Sequence, residues 1–143
     1  MIGDHRDLHL SIRRQRQMCI ETVNKYTYIA HEAYFNLEQY RNHNHISLVI
    51  KDTRVLGIGF NKKKTHPLAK KYGYRHYELH SELDALLKIP KDCRTGLILL
   101  NFKFGPKGDT KLSKPCTLCL PWCIDLFDEI YYSIPNGLVQ LEY

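Results

Sequence analysis

"KPCTLC" sets Cys116 and Cys119 three apart behind Pro115, and about 35 residues earlier "LHSEL" sets His80 and Glu82 on either side of a single serine. Between the two stretches lies an apolar run, "TGLILLNFKF", that reads as a buried strand. A chain that uses these four side chains together must return two helix starts to one place, across an intervening strand. Layered α/β folds, with helices packed on a sheet, do this.

Thiolates at i and i+3 of a helix are neighbours on one face and can grip one ion. A helix N-terminus also favours thiolate over thiol, through its unpaired N–H groups and dipole. Sulfur and imidazole together suit zinc. Two cysteines are half a site, and His80 as the third ligand leaves the fourth tetrahedral position to water, the arrangement of a catalytic centre. Cys123 would face away from such an ion and reads as a buried thiol, with Cys19 and Cys93 as structural thiols. Glu82 is then something other than a ligand. Residues two apart on a helix point about 200° from each other, so His80 and Glu82 converge only at the first turn. A carboxylate there can take a proton from water and hand it on. Taken singly, His80 and Glu82 would read as a helix-opening polar residue and an acid complementing the dipole; the pairing with Cys116 and Cys119 carries the metal reading.

The 143 residues suit one domain, 1–143, with a helical N-terminal segment over 1–40 and the sheet and zinc-site core over 46–143. No apolar run approaches the roughly 20 residues of a membrane span, and "MIGDHRDLHLSIRRQRQ" has no apolar core resembling a signal peptide. A soluble cytoplasmic protein without a membrane partner is expected. Five cysteines in such a chain suggest metal binding or free thiols over a disulfide framework. The formal charge of +6, with clusters at Arg13, Arg14 and Arg16 and at Lys62 to Lys64, favours anionic partners such as nucleotides or nucleic acid, or reads as a solvated basic face.

From about Leu10 to Tyr40 no proline or glycine interrupts, and Tyr26, Ile29, Ala33, Tyr34 and Leu37 line one face of a helix. "HISLVIKDTRVLGIGF" reads as strands Ile46 to Ile50 and Arg54 to Phe60 joined at Asp52 and Thr53. "NKKKTHPLAKKYGYRHY" reads as a loop. A helix then opens near His80 and stops before Pro90, a strand follows, and a helix is expected behind Pro115. Pro121 interrupts that helix, so a bend or a late start is expected. "EIYYSIPNGLVQLEY" closes the chain as a hairpin around Pro135, Asn136 and Gly137. Histidines 43 and 45 read as exposed residues before a strand, with a second metal site shared with His66 or His76 as the weaker alternative.

His80-x-Glu82 followed by Pro115-Cys116-x-x-Cys119 resembles the zinc-dependent cytidine and deoxycytidylate deaminase superfamily. The resemblance covers roughly residues 46–134, and "HSE" departs from the more usual HAE or CAE only by a small Ser81. It implies a three-layer α/β sandwich with a central mixed five-stranded sheet, one catalytic Zn2+ on His80, Cys116 and Cys119, and Glu82 as proton carrier. It further implies substrate contacts from Asn61, at the end of "GIGFN", from the Ser81 backbone N–H, and from Pro115; a turn asparagine is the plainer reading of Asn61. "KTHPLAKKYGY", "HSELDAL" and "SKPCTLC" look most similar to phage-encoded members. The connection from Phe104 to Ser113 is longer than expected and suggests an extended strand end or flap.

The closing hairpin leaves no room for a helix between the last two strands, so an antiparallel pair is expected, similar to the cytidine deaminase branch. The implied reaction is hydrolytic deamination of cytosine to uracil on a free (deoxy)cytidine nucleoside or nucleotide, with one or more of Lys62 to Lys64, Lys70, Lys71 and Arg75 holding a phosphate. The alternative is a single-stranded nucleic acid substrate, for which Tyr72, Tyr74, Tyr77 and Trp122 would offer stacking surfaces. A non-catalytic zinc-binding relative is a third reading, against which Glu82 stands. Relatives acting on free nucleotides often complete their sites with neighbouring subunits, which implies a homo-oligomer.

Overall fold

The computed structural model describes residues 19–36, 45–75 and 78–142. Helix α1 (Ile20–Phe35) occupies the middle of the long uninterrupted stretch and turns Tyr26 and Ala30 fully inward, with Ile29, Ala33 and Tyr34 beside them. Leu37 and the cluster of Arg13, Arg14 and Arg16 lie outside the described residues.

Strands β1 (His45–Lys51) and β2 (Arg54–Phe60) form the expected hairpin. Lys51 pairs with Arg54, and both loop residues, Asp52 and Thr53, take positive φ (49° and 68°). That is the left-handed loop whose twist matches two paired strands. Strand β3 (Ile98–Lys103) pairs antiparallel with β1 and parallel with β4 (Glu129–Ile134). The sheet ends in β5 (Gly137–Gln140), antiparallel to β4, with Asn136 at φ 63° in the turn. The order is β2-β1-β3-β4-β5, a mixed five-stranded sheet. The antiparallel end expected from the sequence is present.

Alternation along the strands builds the layers. Ile46, Leu48 and Ile50 of β1 and Leu100 and Phe102 of β3 face α1. Val49 and Leu99 face the other side, where α2 (Pro67–Lys71), α3 (Ser81–Leu87) and α4 (Leu120–Leu126) pack. Full burial of each aliphatic side chain contributes about 1.5–3 kcal/mol, so both faces are secured. The result is a three-layer α/β sandwich.

One local expectation changes, and two that were left as alternatives are decided. The segment read as a loop contains α2, because Pro67 fits a first turn and His66 Nδ1 caps it by accepting from the Leu68 N–H at 3.1 Å. The last helix begins at Leu120, the late start expected from Pro121, which falls in its first turn, where a missing N–H costs nothing. The connection after β3 takes the first of the two expected forms, an extended strand end that folds back antiparallel on itself, and not a projecting flap. Phe104 bridges to Thr110, Gly105 N–H donates to Asp109 O at 2.8 Å, and Lys111 N–H to Lys103 O at 2.8 Å. The hydroxyls of Ser113 and Ser133, 2.8 Å apart, tie it to β4. No helix among the described residues is long and apolar enough to cross a membrane.

Candidate metal centre

The site begins with two glycines. A Cβ at Gly57 would lie 2.6 Å from the Ala85 carbonyl oxygen, and one at Gly59 would collide with the Ser81 carbonyl and the Ala85 N–H. Only bare backbone lets α3 lie this close on β2. Asp84 then locks the end of β2, accepting from the Phe60 N–H (2.9 Å) and from Lys62 Nζ (3.0 Å). The start of α3 is thereby fixed against the sheet.

His80 is the N-cap of α3 and is extended (φ −77°, ψ 154°), whereas Glu82 already stands in the first turn. This break in helical geometry turns both side chains to one side. Cys116 and Cys119 arrive on a single turn leading into α4, closed by Leu120 N–H to Cys116 O at 2.9 Å. His80 Nδ1 lies 3.5 Å from Cys116 Sγ and 3.4 Å from Cys119 Sγ, and the three donor atoms fall within 4.8 Å of one another. His80 Nε2 faces Glu78 Oε1 at 2.5 Å. A carboxylate there accepts the Nε2 proton and leaves the Nδ1 lone pair for an ion.

Electrostatics fit a cation. Burial opposes a charged His80, yet the bond to Glu78 and the fields of Glu82 and Cys116 outweigh it and raise the ring's pKa. A bond from the Cys119 thiol, helped by backbone N–H groups, lowers Cys116 to about 5. Its counterpart effect on Cys119, together with burial and Glu82, pushes that thiol up. The pair shares one proton, which Cys119 keeps. A divalent soft ion would replace it and satisfy two sulfurs and one nitrogen, the donor set of zinc.

Glu82 is buried beside this cluster. Its Oε1 accepts from Asn101 Nδ2 at 2.7 Å, and its Oε2 lies 3.5 Å from Cys119 Sγ. Asn101 is held in turn by Ser47, whose hydroxyl donates to Asn101 Oδ1 at 2.6 Å; the two residues are partners across β1 and β3. Tyr74 lies against the cluster as well, stacked on His80 and 2.6 Å from Cys119 Sγ through its hydroxyl. Glu78, Asn101 and Ser47 were not singled out in the sequence, and Tyr74 was read there only as a stacking surface for a single strand. For Ser47 and Asn101 a signal exists: each is the single polar residue inside an apolar run, "ISLVI" and "ILLNF". Glu78 and Tyr74 carry none, because only folding places them.

Asn61 and Ser81 meet each other: Asn61 Oδ1 accepts the Ser81 N–H at 2.8 Å, so that N–H, expected to meet a base, is spent on the asparagine. Pro115 is buried just before Cys116. Cys123 is buried, and burial raises its pKa. Cys93 is partly buried and packs against the core, as a structural thiol would, whereas Cys19 is exposed and does not. Of the histidines weighed for a second metal site, His66 caps α2, while His43 and His76 lie outside the described residues. Tyr74 and Trp122 are buried, and Tyr72 stacks on Trp122 with centroids 5.4 Å apart. Tyr77 lies outside the described residues.

No protein-family model and no curated protein sequence matches the chain. Among solved structures, the dCMP deaminase of cyanophage S-TIM5 in apo form is similar over 83% of this chain and 87% of that one, with a TM-score of 0.56 and 20% identity. The same enzyme in complex with dCMP and dUMP is similar over 80% of this chain and 82% of that one, again with a TM-score of 0.56 and 20% identity. The likeness establishes a shared fold, a mixed five-stranded sheet with helices packed on it.

Proposed function

We propose that this chain is a zinc-dependent hydrolase that deaminates cytosine to uracil on a free deoxycytidine or cytidine nucleoside or nucleotide. The observation that carries the reading is the convergence of His80 Nδ1, Cys116 Sγ and Cys119 Sγ within 4.8 Å, with the Glu82 carboxylate alongside. Three donors of this kind leave one position open, and a buried carboxylate beside that position is suited to move protons. The solved dCMP deaminases of the same fold support the nucleotide.

Zinc, when bound, supplies the Lewis acidity that makes water a nucleophile near neutral pH. Water adds at the amine-bearing ring carbon and ammonia leaves. Glu82 is the proton carrier: Asn101 holds its Oε1, which aims Oε2 toward the cluster and leaves it to move a proton from water to the ring nitrogen and then to the departing ammonia. Asn61 has its Oδ1 committed to the Ser81 N–H, so its NH2 is the end that donates to a sugar hydroxyl. Ser81 and Pro115 flank the base. Of the basic residues, Lys62 is bound to Asp84, whereas Lys70 and Arg75, which line a hollow of about 80 Å³ beside Tyr74 and Glu78, offer their charge to a phosphate in this reading.

The test is turnover with deoxycytidine, cytidine and their mono- and triphosphates, read as ammonia and as uracil product by mass spectrometry. Product from the monophosphate is expected. Ammonia from none of them overturns the reading, and uracil formed only in single-stranded oligonucleotides replaces it with the polynucleotide alternative.

A further inference from the structure

Tyr74 comes from the segment between α2 and α3, yet it touches two of the three proposed ligands. Its ring stacks on the His80 imidazole, centroids 4.4 Å apart and planes 18° apart. Its hydroxyl lies 2.6 Å from Cys119 Sγ and receives the Trp122 indole N–H at 3.0 Å. An indole N–H can only donate, so the phenol oxygen is the acceptor of that bond. Once Cys119 is a thiolate, its sulfur can only accept, and the single phenol proton points to it. Tyr74, Cys119 and Trp122 are all buried, so water does not compete for these bonds. The backbone holds the residue there too: Tyr74 N–H donates to Ala69 O at 3.0 Å, which ties it to α2.

We infer that Tyr74 is a positioning residue of the metal centre: its phenol donates a hydrogen bond to the Cys119 thiolate, its ring fixes the plane of His80, and Trp122 aims the phenol proton. This rests on reading the centre as a zinc site. A buried thiolate without donors is costly, so the phenol favours the metal-loaded form. A donated proton also withdraws electron density from sulfur, so the ligand gives less charge to the ion and leaves it more Lewis acidic. An aromatic ring present for packing alone would do neither.

The experiment loads the metal-stripped chain with Co(II), whose thiolate-to-metal charge-transfer band reports how electron-rich the sulfurs are. Tyr74→Phe keeps the ring and its stack and removes only the hydroxyl. Its band is expected at longer wavelength than that of the unaltered chain, and its zinc affinity, measured against a competing chelator, is expected to fall about tenfold or more. Trp122→Phe leaves the hydroxyl without its guide and should move the band in the same direction by less. A band that stays in place in Tyr74→Phe overturns the inference, whatever happens to affinity. Absence of any thiolate–cobalt band in the unaltered chain overturns the metal-centre reading, and this inference with it.

Discussion

Glu82 has two oxygens and two different neighbours. Asn101 donates to one of them, and the other faces the cysteines, so the carboxylate is oriented before any substrate arrives. Glu82→Gln preserves the shape and the Asn101 contact but removes the proposed proton carrier. Metal content should stay at one ion per chain while turnover falls by about 10²–10⁴, the range of a general acid–base group; activity near the original rate would show that protons travel another way. The cysteines allow a second check. Cys116 is lowered to about 5, a depressed value, so its thiolate is present above that pH and lost as pH falls through it. In metal-free protein its alkylation by iodoacetamide should therefore reach half of its plateau rate near pH 5, where an ordinary cysteine would do so near pH 8.5. Cys119, buried and raised, should lag, and added zinc should protect both. The convergence of His80, Glu82, Cys116 and Cys119 was legible in the sequence because the proposed chemistry prescribes residue types at tight local spacings. Asn101 and Tyr74 were not, because an amide in a strand and a tyrosine in a basic segment gain their roles from neighbours far along the chain.

At the scale of elements, the contact of α3 with β2 decides whether the site exists. The helix backbone rests on Gly57 and Gly59, and Asp84 clamps the strand end that carries Asn61. Gly59→Ala puts a methyl group into the Ser81 and Ala85 backbone. Overpacking of this kind costs about 1–3 kcal/mol. It should lower the midpoint of urea unfolding and, since α3 carries His80, reduce zinc retained on dialysis against a weak chelator. Unchanged midpoint and zinc would mean that α3 does not depend on this close approach. "GIGF" showed only a strand in the sequence, because a one-dimensional pattern does not reveal what lies on top of it. The short α2 was missed for a related reason: His66 and Pro67 can cap a helix, but so brief a helix leaves no periodicity to find.

For the whole molecule, the ion should act as a staple between α3, which brings His80, and the turn before α4, which brings Cys116 and Cys119. Zinc at 100 times its dissociation constant should add about 2.7 kcal/mol to unfolding. A chelator should accordingly lower the melting temperature, and zinc should restore it; equal melting temperatures with and without zinc would sink the assignment. The sequence alone determined the layer type, the strand hairpins and the closing antiparallel pair, and it named the four residues of the proposed metal chemistry. It did so because periodicity, turn residues and ligand types are local properties. The tertiary structure alone decided how the ligands are held: Glu78 behind His80, Asn101 and Ser47 behind Glu82, Tyr74 and Trp122 behind Cys119, and Asn61 turned onto Ser81. Each of those is a contact between residues whose proximity depends on sheet register and helix placement, and no local pattern encodes either.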